Sequence, residues 1–179
     1  FAGTKTRCVS ASGTFTGCPT GAEQVTSSDF DASVRNADGY RTLFKRGDTF
    51  DLTNLLLTNA SGTGSVIGAF GPGAKPVVNW TDTNNDGFAD VVLTVGGNDW
   101  RIMNLNLRNP TGVSSSSPYA IQNAGAMSRL TLFDLSITGH QGCIGFNQSL
   151  GSLNTQTYVG DIVCQSNNVQ ARALYDKNN

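Results

Sequence analysis

Three short segments of the chain carry one pattern of apolar and polar positions. Asn104-Leu105-Asn106-Leu107, Asp134-Leu135-Ser136-Ile137 and Asp161-Ile162-Val163-Cys164 place apolar residues second and fourth, with small or polar residues before and between. On an extended chain this period of two puts the second and fourth side chains on one face, so each segment reads as a strand with one buried side. The intervals, about thirty and then about twenty-seven residues, are those of stacked supersecondary units. A second series runs beside the first: Ala120-Ile121-Gln122-Asn123, Cys143-Ile144-Gly145-Phe146 and Ala173-Leu174-Tyr175-Asp176. The pattern therefore predicts an all-β solenoid whose coils hold at least two strands each, with apolar residues stacked on their counterparts one turn away.

Upstream, Ser27-Ser28-Asp29-Phe30-Asp31 offers helix caps with acidic residues in the first turn, and Phe30, Val34 and Ala37 follow at helical spacing. This predicts a short capping helix within residues 26–39. Brief strands follow at Arg41–Phe44, Leu55–Leu57 and Val66–Phe70, separated by the turn chemistry of Arg46-Gly47-Asp48 and Gly71-Pro72-Gly73. The expected organisation is one domain over 1–179: an opening segment at 1–25, the helix at 26–39 and coils from 40 to 179. Ser114 to Ser117 falls on a loop. The last strand ends just before Asn179, so either further coils follow, making this the N-terminal part of a longer solenoid, or another chain covers the open end.

Composition adds little that changes this picture. Charged residues make up 14% and glycines number 21, a turn-rich and strand-rich balance. A formal net charge of −1 provides no basic field for nucleic acid, and no apolar run reaches membrane-spanning length. The start at Phe1, without methionine or a signal-like segment, fits a processed product. The four cysteines form two local pairs, Cys8 with Cys18 and Cys143 with Cys164 on neighbouring strands. Their even count points to disulfides and an oxidising compartment, with four reduced buried thiols as the alternative.

The strongest chemical motif is Asp82-Thr83-Asn84-Asn85-Asp86-Gly87-Phe88-Ala89-Asp90. Oxygen side chains at places one, three, five and nine, with glycine at six for the sharp turn, match the way a short loop wraps Ca2+. The expected ligands are Asp82, Asn84, Asp86, the Phe88 carbonyl and Asp90. Leu93 stands where an EF-hand has its bidentate glutamate, and the loop resembles instead those of integrin-type propeller repeats. An Asx-rich turn without metal is the alternative.

Other features are ambiguous. Arg46-Gly47-Asp48 spells an adhesion tripeptide but also a tight turn. His140, the sole histidine, lies in a turn-like Thr138-Gly139-His140-Gln141-Gly142 and reads as a solvated or hydrogen-bonded side chain. Asn104, Asp134 and Asp161 recur at one place in the repeat, as a hydrogen-bonded ladder or as ligands. Trp80, Trp100, Tyr119, Tyr158 and Tyr175 form either a sugar-stacking platform or core and edge packing.

Leu43-Phe44-Lys45-Arg46-Gly47-Asp48-Thr49-Phe50, the stretch Ile67-Gly68-Ala69-Phe70-Gly71-Pro72-Gly73-Ala74-Lys75-Pro76-Val77-Val78 and the segment Asp99-Trp100-Arg101-Ile102-Met103-Asn104-Leu105 resemble the N-terminal coils of the pectate-lyase-like superfamily. The resemblance, over roughly residues 25–179, implies a right-handed parallel β-helix and a secreted or cell-surface location. It implies a calcium-binding protein that binds or processes extracellular polysaccharide, as a lyase or hydrolase. The alternative is a non-catalytic structural or adhesive protein of a cell surface or filament. Catalytic residues are not fixed by any motif: Asp134, Asp161 and Asp176 lie near strands, with Arg172, Tyr175 and Lys177 near the last one.

Overall fold

The computed structural model describes residues 3–58, 63–80, 93–110, 119–124, 127–140, 142–146 and 156–165, and the backbone of 172–176. Its strands pair only in parallel and fall into two sheets. The ten-stranded sheet holds β1 (Thr6–Ser10), β2 (Glu23–Thr26), β3 (Arg41–Lys45), β4 (Thr49–Leu52), β6 (Ser65–Phe70), β7 (Val77–Trp80), β9 (Trp100–Met103), β10 (Asn106–Arg108), β12 (Thr131–Thr138) and β14 (Tyr158–Gln165). The five-stranded sheet runs β15-β13-β11-β8-β5, from β5 (Leu55–Leu57) and β8 (Leu93–Val95) through β11 (Tyr119–Asn123) and β13 (Gly142–Phe146) to β15 (Arg172–Asp176).

The expected right-handed parallel β-helix is corrected by this sheet order. The strands join into one sheet curved as a half-barrel, and the smaller sheet stands separate from it. The cause is visible at Asp134. The first half of β12 pairs with β9 through Leu132 and Ile102, and its second half pairs with β10 through Ile137 and Leu107, so one strand carries hydrogen bonds around a corner. Asp134 makes that corner at φ 53°, Asp161 does the same in β14 at φ 53°, and Asn104 separates β9 from β10 at φ 61°. The left-handed region is costly for most side chains and tolerable for Asn and Asp, whose short polar groups bond locally. The recurring polar residue is thus a bend residue.

A second left-handed column precedes the strands. Gly39, Gly64, Asp99, Arg129 and Gln156 all have positive φ and each lies two residues before the paired row Arg41, Val66, Arg101, Thr131 and Tyr158. Between the corners, alternate residues turn inward. Leu107, Ile137 and Cys164 lie side by side, as do Leu135 and Ile162, and the continuous core runs from Val9 to Phe146.

The capping helix is also shorter than expected. α1 is the single turn Phe30–Ser33, capped by the Asp29 carboxylate accepting from the Ala32 N–H at 2.9 Å, and Val34 is already extended. Asp31 accepts from the Thr53 and Asn54 N–H groups, while Asn36 bonds to the backbone of Leu56 and Thr58. Polar side chains bonded to distant backbone hold the segment out of further helical turns. Phe30 nevertheless closes that end of the core, stacked on Phe44 at 4.3 Å.

Both expected disulfides are present. Cys8–Cys18 closes the opening loop, and Cys143–Cys164 has its Cα atoms 6.1 Å apart. The second does not join neighbouring strands of one sheet, because Cys143 lies in β13 and Cys164 in β14; it ties the two sheets together.

Candidate functional site

The outward face of the long sheet carries the candidate site. Its central row, read across the strands by register, is Cys8, Leu43, Gly68, Met103, Phe133 and Gly160; the row beside it is Thr6, Arg41, Val66, Arg101, Thr131 and Tyr158. The central row has no side chain at Gly68, and there the surface sinks into a groove of about 340 Å³. Leu43, Val66, Met103 and Ala69 give it apolar walls, while Arg41, Arg101 and Asn104 supply polar edges.

The opening loop walls one end. Cys8, Leu43 and Phe70 pack together under Phe15 and Cys18. Gly17 seats the loop against the next turn, since a Cβ there would fall 2.8 Å from the Gly71 Cα. The groove therefore ends at a segment fixed by the Cys8–Cys18 bridge.

The other end opens onto an aromatic step. Phe133 follows Met103 in the row, and the Tyr158 ring lies 6.3 Å from the Phe133 ring, tilted by 31°. Tyr158 is 56% exposed, which is unusual for so large an apolar body. Its phenol end leans over Gly160, where a Cβ would meet the hydroxyl oxygen at 2.7 Å.

The cations around the groove are oriented. Arg41 donates from Nε and Nη2 to the Thr6 hydroxyl at 3.2 and 3.0 Å. Arg101 donates to Asp99 at 3.1 Å, and Arg129 also approaches Asp99, at 3.5 Å. Arg46 donates to the Asn104 Oδ1 at 3.0 Å, and Lys75 contacts Asp134 at 2.6 Å. A net charge near zero thus conceals a local excess of cations on one face.

The residues expected to act distribute unevenly. Asp134 and Asp161 sit in register at the bend, and Asp134 is the one that contacts Lys75. Trp80 and Trp100 are core residues, Tyr119 covers Gly145, and Tyr158 stands on this face. Arg172, Tyr175 and Asp176 lie on β15, whose side chains are outside the described residues, as is Lys177. Asp82, Asn84, Asp86, Phe88 and Asp90 are also outside them. Among the described residues, no three His, Cys, Asp or Glu side chains gather as a metal-holding group. The turn Arg46-Gly47-Asp48 has its charges bonded internally, because Asp48 accepts from the Ser10 hydroxyl and from the Ser12 N–H and hydroxyl. Burial pushes that carboxyl up, but these hydrogen bonds outweigh it and hold it below the ordinary carboxylate value.

His140 departs from its expectation as a solvated or hydrogen-bonded turn residue. It is 3% exposed, its Nε2 has no hydrogen-bond partner, and burial lowers its pKa from 6.5 to about 4. Phe133 was not evident as a site residue from the sequence. Its signal was available: it is an aromatic residue on the polar-facing side of an otherwise alternating strand.

No family model and no curated protein matches the chain. Among solved structures, a GH136 lacto-N-biosidase from Eubacterium ramulus is similar over 90% of this chain, with a TM-score of 0.60 and 17% identity. The likeness is one of fold. The matched region is 34% of that protein's chain, so this chain spans about a third of it. Among the described residues, no helix is long and apolar enough to cross a membrane.

Proposed function

We propose that the outward face of the long sheet binds extracellular carbohydrate. The observation that carries this reading is the exposed Tyr158 ring beside Phe133, continuous with a groove edged by anchored arginines. A sugar ring presents C–H groups on its faces and hydroxyls on its rim. An aromatic step suits the former and guanidinium donors suit the latter. The solved structure of similar fold is a lacto-N-biosidase, which agrees with carbohydrate as the ligand class, and the two disulfides support a secreted or cell-surface setting. Calcium belongs to the same proposal. Asp82, Asn84, Asp86, Asp90 and the Phe88 carbonyl would supply oxygen donors only, the chemistry that Ca2+ takes.

Glycan titration with Tyr158→Ala tests the binding reading. Loss of affinity with unchanged circular dichroism is the expected result, and unchanged affinity sinks it. For calcium, calorimetry should show a binding heat that Asp86→Ala abolishes.

A second reading, hydrolytic processing of the bound glycan, rests on Asp134 and Asp161. They occupy one register on neighbouring strands, with backbones about 4.8 Å apart, and paired carboxylates are the usual equipment of glycosidases. Release of reducing ends from oligosaccharides, abolished by Asp161→Asn, would support processing; binding without turnover would leave a lectin-like module.

A further inference from the structure

The two ends of the groove differ. The central row of outward side chains begins at Cys8, and Cys8 is bonded to Cys18 of the opening loop, so the disulfide itself stands on the row. Phe15, Cys18 and Ala22 pack over Cys8, Leu43 and Phe70. Those three covered side chains lie outside the main core, yet they are 0%, 8% and 4% exposed. A layer of chain therefore rests on the sheet there and stands above the groove floor. The neighbouring row closes at the same strand, where Arg41 donates to Thr6, itself 2% exposed.

This wall is held at three points. The Cys8–Cys18 bond ties it to β1. Gly17 and Gly71 meet backbone to backbone: a Cβ on Gly17 would fall 2.8 Å from the Gly71 Cα, and one on Gly71 would fall 2.9 Å from the Thr16 carbonyl oxygen. At its root the Ser10 hydroxyl accepts from the Thr14 N–H at 3.0 Å and donates to Asp48 at 2.8 Å. Toward β14 the face is open among the described residues, Met103 leading to Phe133 and on to the 56% exposed Tyr158. From Leu43 to Gly160 the row crosses four strand spacings, on the order of 19 Å, which a short oligosaccharide spans.

We infer that this groove takes the end of a glycan chain rather than an internal segment, the terminal sugar abutting the wall at Leu43, Phe15 and Cys18 and the rest of the chain leaving over Phe133 and Tyr158. The inference rests on the carbohydrate reading above and deepens it. An internal segment laid along the row would have to continue through the packed atoms of the opening loop or lift off the floor before Leu43, and either route forfeits contacts that a chain end keeps. The class of ligand recognised is then the chain terminus, and the opening loop is the element that sets the preference.

The test compares glycans that differ in the number of ends per sugar unit. The full chain is titrated with the linear hexamers of β-1,4-xylose, β-1,3-glucose and α-1,4-galacturonate and with the soluble polymer of each, every affinity being expressed per sugar unit. For the sugar that binds, the hexamer should be favoured by about tenfold or more. Partial hydrolysis of its polymer should raise binding in proportion to the ends created. The double variant Cys8→Ala/Cys18→Ala, which frees the wall, should bring polymer and hexamer to within about threefold while circular dichroism is unchanged, and Phe15→Ala should move them the same way by less. Tyr158→Ala should weaken hexamer and polymer alike. Should the double variant fail to fold, the hydrolysis series on the unaltered protein decides. Equal affinity per sugar unit in hexamer and polymer, or an end preference that a folded double variant retains, overturns the terminus assignment and leaves carbohydrate binding standing. Binding of no glycan in the set overturns both.

Discussion

The inner and outer rows of the long sheet come from the same strands and differ in everything else. The inner row, Thr42, Ile67, Ile102, Leu132 and Val159, is shaped by contact with the core, and its members are buried until Val159 at the edge. The outer row, Leu43, Gly68, Met103, Phe133 and Gly160, swings between large side chains and none. Parallel strands repeat at a fixed spacing, so a row of similar side chains makes a smooth wall and a row of unequal ones makes relief. The inner row uses the repeat to pack; the outer row breaks it to make a groove and a step.

The sharpest way to break this comparison is to truncate neighbours on opposite faces. Ile102→Ala should destabilise the fold by about 2–5 kcal/mol, whereas Met103→Ala, one residue on, should cost under about 1.5 kcal/mol. Urea denaturation of the pair checks it, and equal losses would show that the outer face is packed as tightly as the core. A smaller effect, also on the inner side, concerns His140. Its folded pKa of about 4 lies below the ordinary 6.5, so between these values the unfolded chain takes up a proton that the folded chain excludes. Stability should therefore fall as the pH drops from 6.5 toward 4, by about 3 kcal/mol in full, and be insensitive to this group above 6.5. His140→Gln should flatten that slope in denaturation curves taken across the window; an unchanged slope would place the acid sensitivity elsewhere. The smallest effect is at the bend. Asp161→Gly should be nearly neutral and Asp161→Val should cost about 1–2 kcal/mol, because only the latter resists the left-handed backbone. Equal melting temperatures for the two would refute the bend role.

The bend also shows where reading the sequence stops. The recurrence of Asn104, Asp134 and Asp161 and the alternation after each were legible, because period and register are written in side-chain polarity. Whether the chain breaks or merely bends there was not, since a left-handed Asp inside a continuous strand and an Asn between two strands present the same pattern. The count of sheets depends on that difference, which is why a coil of separate walls was expected and a half-barrel with a second sheet was found. The same limit applies to Cys143 and Cys164, whose pairing follows from spacing but whose placement on different sheets does not. The helix failed for another reason: the spacing of Phe30, Val34 and Ala37 is real, but the side chains of Asp31 and Asn36 bond to backbone 23 and 20 residues on. Of the site, the exposed Tyr158 was within reach of composition alone. Gly68 gained meaning only when registers placed it between Leu43 and Met103.

The bridge between β13 and β14 has a mechanical consequence. A stack of parallel strands under tension normally unzips from its last strand, one row of hydrogen bonds at a time. With Cys143 and Cys164 joined across the sheets, pulling on β14 loads β13 as well, and the two walls must yield together. This part of the stack then resists peeling as a rivet does, by sharing the load between plates. Reducing agent should convert one high-force rupture into successive smaller ones.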